Sequence, residues 1–232
     1  MIPLASLLFA LVTVQVRQPV TVIPVIDEAP TKAGSYDWMA RHNDVVARVK
    51  QGNANLIFIG DSITHGFNGE LWKQYYEPRK AVNMGFGWDG TQHVLWRLQH
   101  GEIDGIEPKV AVLLIGVNNI GWASAQDTAL GVEAVVQNLR TKLPTTKVLL
   151  LGVFPWKQSP EAPERAKIKD LNQRLARLAL RPGVTFLNFG EKFLEPDGTL
   201  SKEIMPDYLH LSPKGYRIWV DAMEPTLRKL GV

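Results

Sequence analysis

The chain has 232 residues, of which 45% are hydrophobic and 21% charged, and its formal net charge is +3 at neutral pH. This composition is typical of a globular protein and excludes a disordered chain. The absence of cysteine excludes disulfides, a cysteine nucleophile and thiolate metal ligands. The 26 basic residues are spread along the chain without a patch interleaved with aromatics, so nothing indicates binding to nucleic acid.

The N-terminal sequence indicates an exported protein. Residues 2–14 form an apolar run of the length found in signal peptides, too short to span a bilayer, although no lysine or arginine precedes it. We predict a signal peptide over residues 1–16 and a secreted or periplasmic protein. A cytoplasmic protein whose N-terminus forms a packed strand is the alternative. Residues 17–35 contain three prolines and a glycine and are predicted to be a linker.

From residue 36 onward, helices and strands alternate. Apolar runs predict five strands, at residues 56–60, 81–85, 110–116, 147–154 and 184–189. Helical segments are predicted at residues 36–49, 71–76, 92–99, 125–143, 163–180 and 212–230. This alternation favours one α/β domain over residues 36–232, with a parallel sheet and right-handed crossovers.

The junction Gly60-Asp61-Ser62 is the most informative feature of the chain. It follows the apolar run of the first predicted strand, so the Ser62 hydroxyl is expected at the carboxyl edge of the sheet, where open α/β sheets bind ligands. A serine becomes an effective nucleophile only when a base takes its proton. The alternative is that Ser62 is an ordinary helix N-cap.

A candidate base lies near the C-terminus. Asp207 and His210 are three residues apart in a segment that ends before Pro213. A carboxylate there can accept a hydrogen bond from one imidazole nitrogen while the other nitrogen takes the Ser62 proton. A lone histidine is more often a surface residue, so this interpretation depends on Asp207.

Two other strand ends offer donors for an oxyanion. Gly85 ends the second predicted strand, and Asn118 follows the third. The backbone N–H groups of Ser62 and Gly85 and the side-chain amide of Asn118 are predicted to converge on one oxygen. Such donors are worth roughly 3–4 kcal/mol each in acyl transfer. The alternative is that Gly85 and Asn118 are ordinary turn residues.

Four short blocks together carry a family resemblance. They are Gly60-Asp61-Ser62, Asn83-Met84-Gly85, Gly116-Val117-Asn118-Asn119 and Asp207-Tyr208-Leu209-His210-Leu211-Ser212. With these blocks in this order, the chain resembles the SGNH (GDSL-type) hydrolase superfamily and is most similar to its platelet-activating-factor acetylhydrolase branch. The general pattern has leucine and aspartate where this chain has Ile63 and Asn119, and the acetylhydrolase branch often has asparagine at the second position.

The resemblance implies a flavodoxin-like three-layer α/β/α sandwich with strand order 2-1-3-4-5. It also implies that Ser62 is the nucleophile, with His210 as base and Asp207 as its orienter. Gly85 and Asn118 are then the oxyanion donors. No cofactor is expected, and no metal, because His65, His93, His100 and His210 show no short ligand spacing.

The predicted reaction is hydrolysis of a short-chain carboxylic ester, an acetyl ester by the resemblance, through an acyl-enzyme. The partner is a small-molecule ester of a sugar, metabolite or lipid, with no stable membrane span, and the resemblance permits a homodimer. Trp88, Asn119, Trp122 and Trp156 are candidate substrate contacts near strand ends. A carbohydrate O-acetylesterase, a lysophospholipase or a thioesterase remains open, as do a non-catalytic glycan-binding protein and a metal-dependent hydrolase.

Overall fold

Five parallel strands form the centre of the molecule in this computed structural model, which describes residues 18–26 and 37–232. The strands are β1 (Leu56–Gly60), β2 (Ala81–Gly85), β3 (Val110–Leu114), β4 (Lys147–Leu151) and β5 (Val184–Leu187). They form one sheet in the order β2-β1-β3-β4-β5. The predicted five-stranded parallel sheet with strand order 2-1-3-4-5 is therefore confirmed.

Helices cover both faces of the sheet. They are α1 (Trp38–Val49), α2 (Ser62–His65), α3 (Gly69–Tyr75), α4 (Thr91–Gln99), α5 (Val117–Ile120), α6 (Ala125–Lys142), α7 (Pro163–Ala176) and α8 (Pro213–Leu230). On one face α4, α6 and α7 pack together, and α1 joins them where Trp38 meets Trp96 of α4. On the other face α3 and α8 contact each other, and Trp72 of α3 packs against Phe58 of β1. The predicted three-layer sandwich is confirmed.

The burial of the strands explains their sequences. β1 and β3 are buried along their whole length, because they lie inside the sheet and are covered on both faces. Such strands need unbroken apolar runs and not an alternating pattern. The edge strands β2 and β5 are only partly buried. Because all five strands are parallel, the residues that follow them gather at one edge of the sheet.

Most element boundaries lie within a few residues of their predicted positions, and the differences concern strand ends. β3 ends at Leu114 and not at residue 116, because Gly116 caps the four-residue helix α5, which the sequence did not predict. β4 ends at Leu151, three residues before the predicted end. The helix predicted over 163–180 is α7 followed by a turn of 3₁₀-helix over Arg177–Leu180.

Part of the predicted linker is folded onto the domain. Residues 18–26 contain a short 3₁₀-helix, Val20–Val22, which packs against α4 and α6. Thr21 is fully buried; its hydroxyl donates to the carbonyl of Asp127 at 2.6 Å, and its carbonyl accepts from the hydroxyl of Thr91 at 2.8 Å. This segment is therefore part of the packed structure, whereas the signal peptide predicted over residues 1–16 lies outside the described residues.

No helix within residues 18–26 and 37–232 combines the length and apolarity that a membrane crossing requires.

The docked segment makes Gly131 of α6 a sensitive position. A Cβ at Gly131 would lie 2.8 Å from the carbonyl oxygen of Thr21 and would also press on Thr91. We expect Gly131→Ala to lower the free energy of unfolding by about 1–3 kcal/mol through overpacking. Urea unfolding measures this change. Gly69→Ala is the matched control, because a Cβ at this helical position meets nothing within 4 Å. Equal stability of both variants would contradict the docking of residues 18–26.

Candidate active site

Ser62, His210 and Asp207 form one line of hydrogen bonds at the carboxyl edge of the sheet. The Nε2 atom of His210 lies 2.9 Å from the Oγ atom of Ser62, although the two residues are 148 positions apart in the chain. The Nδ1 atom of His210 lies 2.6 Å from Oδ2 of Asp207. An imidazole held in this way can take a proton from the hydroxyl while the carboxylate stabilises the resulting cation.

The backbone of the histidine loop orients Asp207. Its Oδ1 accepts hydrogen bonds from the N–H groups of Leu209 at 3.0 Å and His210 at 2.7 Å. Partial burial alone would raise the pKa of Asp207, but the hydrogen bonds from the His210 side chain and from these two N–H groups outweigh it and lower the pKa. Asp207 is therefore anionic at neutral pH. The side chains of Asp207 and His210 are 56% and 45% exposed, so the site is open to solvent.

A close approach of α2 to the sheet fixes the position of Ser62. Ser62 is the first residue of α2, and Asp61 caps the helix by accepting from the N–H of Ile63 at 2.9 Å. A Cβ at Gly60 or Gly85 would lie within 3 Å of the Thr64 side chain, so only glycine fits at these two strand ends. The hydroxyl of Tyr216 in α8 donates to the carbonyl of Ile63 at 2.7 Å and holds α2 from the other side.

Burial changes the ionisation of Asp61. Its carboxyl group is only 1% exposed. Desolvation raises the pKa of Asp61 to about 7, and the nearby carboxylate of Asp89 contributes to the shift, against the hydrogen bond from Ile63. The residue next to the proposed nucleophile is thus a buried acid that titrates near neutrality.

The three predicted oxyanion donors differ in their present partners. Within the part of the chain that the structure describes, the Ser62 N–H has no acceptor. The Gly85 N–H donates to the side-chain oxygen of Asn83 at 2.9 Å. The Nδ2 group of Asn118 donates to the carbonyl of Asp89 at 2.9 Å, which uses one of its two hydrogens. The role of Gly85 stays a prediction, and it requires an exchange of hydrogen-bond partner.

Asn119, a predicted substrate contact, lies in the interior of the protein in this structure. Its side chain is fully buried, and both ends of the amide are taken. The oxygen accepts from the N–H of Thr91 at 3.0 Å, and the nitrogen donates to Oε1 of Gln92 at 3.0 Å. Asn119 therefore ties α5 to the start of α4. Its position right after Asn118 in a helical turn directs it away from the site.

A buried polar network that the sequence did not reveal lies behind the site. Asp89 accepts from the indole N–H of Trp38 and from Nε of Arg97, both at 2.8 Å. Arg97 is fully buried and also pairs with Glu102, whose carboxylate contacts His42. Burial raises the pKa of Asp89 to about 7, although the charge of Arg97 opposes the shift. No local motif announces this network, since Trp38 and His42 come from α1, far along the chain from the other members.

The predicted tryptophan contacts lie on loops around the same edge. Trp88 and Trp122 are 72% and 56% exposed. Trp156 is half-buried, near Gly121 at the end of α5, with the Nζ atom of Lys157 at 4.2 Å from its ring centroid. The N–H of Lys157 donates to the carbonyl of Tyr208 at 3.1 Å, which links this loop to the histidine loop.

No group of three or more His, Asp or Glu side chains in residues 18–26 and 37–232 is arranged to hold a metal ion.

The fold and the site together define a class of protein. A serine, a histidine and an aspartate in one hydrogen-bonded line, at the carboxyl edge of a parallel sheet, are typical of a serine hydrolase. The model of the GDSL-like Lipase/Acylhydrolase family matches residues 58–218, and the chain belongs to this family of acyl hydrolases.

Curated proteins show which branch of this family the chain resembles. The chain is 40% identical to human platelet-activating factor acetylhydrolase IB subunit alpha1 over 199 residues, which are 85% of this chain and 85% of the relative. It is 38% identical to the alpha2 subunit of Gallus gallus over 185 residues, which are 79% of this chain and 80% of the relative. The similarity to platelet-activating-factor acetylhydrolase subunits is confirmed.

Solved structures share the fold. A GDSL-like lipase from Bacteroides thetaiotaomicron has a TM-score of 0.68 at 18% identity, over 82% of this chain and 97% of that one. An acetylxylan esterase from Geobacillus stearothermophilus has a TM-score of 0.60 at 17% identity, over 76% of this chain and 94% of that one. At these identities the likeness concerns the fold alone.

The raised pKa of Asp61 makes a signed prediction about stability. The folded state keeps the Asp61 proton up to about pH 7, whereas the unfolded chain loses it near pH 4. The associated stability is present at low pH and is lost as the pH rises through 7. Asp61→Asn should remove this loss, so the free energy of unfolding falls less between pH 4.5 and pH 8, by about 3 kcal/mol.

Urea unfolding at pH 4.5 and pH 8 checks this expectation. Asp44→Asn makes the same chemical change at an exposed position of α1 and serves as the control. An unchanged pH dependence in Asp61→Asn would show that Asp61 does not titrate as stated.

Proposed function

We propose that the protein is a serine esterase that hydrolyses short-chain carboxylic esters, above all acetyl esters, through an acyl-enzyme. One observation carries the proposal: His210 lies between Ser62 at 2.9 Å and Asp207 at 2.6 Å, in the order that proton transfer requires. Membership of the acylhydrolase family supports the same chemistry.

The reaction follows from this geometry. The Oγ atom of Ser62 attacks the ester carbonyl, and Nε2 of His210 takes the hydroxyl proton. The tetrahedral intermediate then expels the alcohol, which receives that proton from His210, and the acyl group remains on Ser62. A water molecule repeats the sequence on the acyl-enzyme and releases the carboxylic acid. Asp207 stays anionic throughout and stabilises the imidazolium.

The charge that develops on the carbonyl oxygen needs preorganised donors. The Ser62 N–H is available without rearrangement, and Asn118 keeps one amide hydrogen beyond its bond to Asp89. Gly85 is the third donor in the proposal and contributes once its N–H leaves Asn83.

The acyl group is assigned by likeness. Relatives 38–40% identical over most of the chain are named as acetylhydrolase subunits, which favours an acetyl ester. A carbohydrate O-acetylesterase is compatible with this reaction and acyl group. A lysophospholipase or thioesterase would share the reaction with another acyl group or leaving group. A non-catalytic glycan-binding protein would have no need for an intact Ser–His–Asp line.

Ester hydrolysis by the wild type and by Ser62→Ala tests the proposal. We expect activity on p-nitrophenyl acetate that declines with longer acyl chains, because the proposed substrate is an acetyl ester. Ser62→Ala should lose at least about 10³-fold in kcat while its fold is retained, because the nucleophile is gone. Ser159→Ala, at an exposed loop serine, is the control and should remain active. A Ser62→Ala variant as active as the wild type would refute the assignment.

Asp207→Asn tests the orienting role separately. The amide keeps the size of the carboxylate but removes its charge, so the imidazolium is less stabilised. We expect kcat to fall by about 10²–10⁴-fold without reaching zero. Thermal unfolding should show that the variant is folded. Full activity would remove Asp207 from the proposed triad.

A further inference from the structure

We propose that Trp88 and its neighbours at the mouth of the site bind the leaving alcohol of the ester by stacking on the face of a ring, either an aromatic ring or the C–H face of a pyranose. The inference rests on the proposed esterase function and deepens it, because it assigns recognition of the alcohol to named residues at the rim. Three observations carry it: the position of the tryptophans, the strained backbone of Trp88, and the exposure of Trp88 and Trp122.

A continuous chain of contacts places these tryptophans around the catalytic line. Trp88 precedes Asp89, whose carbonyl accepts from the side chain of Asn118. At the other end of α5, the backbone N–H of Trp122 donates to the carbonyl of Asn119 at 3.0 Å. Trp88 and Trp122 thus lie on either side of α5, which carries Asn118, a predicted oxyanion donor.

Trp156 and the histidine loop complete the rim on the far side of α5. Trp156 lies near Gly121, and its neighbour Lys157 donates to the carbonyl of Tyr208, one residue after Asp207. The Lys157 ammonium lies over the Trp156 ring at 4.2 Å and occupies that face. Trp156 is therefore a wall of the mouth, whereas Trp88 and Trp122 present open faces.

Backbone strain is concentrated on this rim. In residues 18–26 and 37–232, four non-glycine residues have a positive φ: Lys80 at 54°, Trp88 at 68°, Lys157 at 74° and Tyr208 at 62°. Three of them belong to the rim. Residues in sparsely populated backbone regions collect at functional sites, where the strain holds a side chain in place.

Trp88 is the most informative of the three. It is the third residue of a turn closed by the Asp89 N–H and the Phe86 carbonyl at 3.3 Å. A positive φ at this turn position is normally supplied by glycine, and a bulky residue there is a genuine outlier. The chain thus carries an aromatic residue at a turn position whose backbone conformation favours glycine.

The exposure of Trp88 and Trp122 also supports a binding role for them. The Trp88 indole is 72% exposed, so packing within the chain does little to offset the strain. Trp122 is also exposed, at 56%. Indole faces give large, rigid contact area at low cost in conformational entropy. A ring in the alcohol covers such a face, whereas a linear alkyl chain does not match it.

The experiment compares three acetates that differ in the alcohol: benzyl acetate, a methyl O-acetyl-pyranoside and n-hexyl acetate. Wild type, Trp88→Gly and Trp88→Ala are measured with each. Lys80→Gly is the matched control, because it relieves a positive φ at the opposite end of β2, away from the site. The readouts are kcat, KM and the thermal midpoint of unfolding.

We expect Trp88→Gly to be at least as thermostable as the wild type and to raise KM at least tenfold for a ring-bearing acetate. Its kcat and its kinetics on n-hexyl acetate should change less than threefold, and Lys80→Gly should match the wild type on all three esters. Trp88→Ala should show the same loss of ring preference. A response confined to benzyl acetate identifies an alcohol that carries an aromatic ring, and one confined to the pyranoside identifies a sugar ester.

An unchanged ratio of kcat/KM between ring-bearing and linear acetates in both Trp88 variants would overturn this inference while leaving the esterase function intact. A folded wild type inactive on every acetate would overturn the esterase function and this inference with it.

Discussion

The geometry of the site depends on the buried ion pair between Asp89 and Arg97. Both side chains are fully buried, and Arg97 also lies with its guanidinium 3.9 Å from the centre of the Phe86 ring. A buried pair of this kind contributes little net stability, because desolvation offsets the attraction, but breaking it leaves an uncompensated charge in the core. The loop between β2 and α4 therefore has one strongly preferred position. That position sets the Asp89 carbonyl against Asn118 and sets Trp88 at the rim.

The same pair links the loop that contacts Asn118 to the strand and helix around Ser62, the proposed nucleophile. Asp89 raises the pKa of Asp61 through its charge, and Asp61 caps the helix that begins with Ser62. Arg97 reaches towards the carbonyl of Gly60 at 3.5 Å, on the strand that precedes Ser62. The buried charges of Asp89 and Arg97 thus lie behind the half-exposed side chains of Asp207 and His210. The buried groups behind the site hold Ser62 in place, while the half-exposed front leaves the serine open to solvent.

The sequence was sufficient for the sheet and for the residues at its carboxyl edge, because both follow from local patterns. Unbroken apolar runs mark β1 and β3, and parallel strands bring the residues after them together. Ser62 and His210 are paired instead through the spacing of Asp207 and His210 and the family resemblance of the short blocks, because His210 lies in the loop before α8 and does not follow a strand. The burial of Asn119 was not predictable, since its neighbour Asn118 has the same chemistry and only the turn of α5 separates their directions. Asp89, Arg97 and Glu102 are only 8 and 5 residues apart, but no motif marks their burial, which also involves Trp38 and His42 of α1. The docking of Thr21 against Thr91 and Asp127 depends on long-range packing that no short motif encodes.

The hydrogen bond between Gly85 and Asn83 shows how a donor can be kept ready for the transition state. In the free protein the Gly85 N–H is satisfied by the Asn83 side-chain oxygen, so no buried donor is left unpaired. An oxyanion is a stronger acceptor than an amide oxygen, which favours exchange only as negative charge develops. The Asn83 oxygen then keeps a second donor, Nη2 of Arg41 at 3.3 Å, while its amide nitrogen stays bound to the carbonyl of Thr64 at 2.8 Å. In the proposed reaction the exchange therefore leaves neither partner orphaned, and it would stabilise the transition state more than the bound ester, which is the difference that accelerates a reaction.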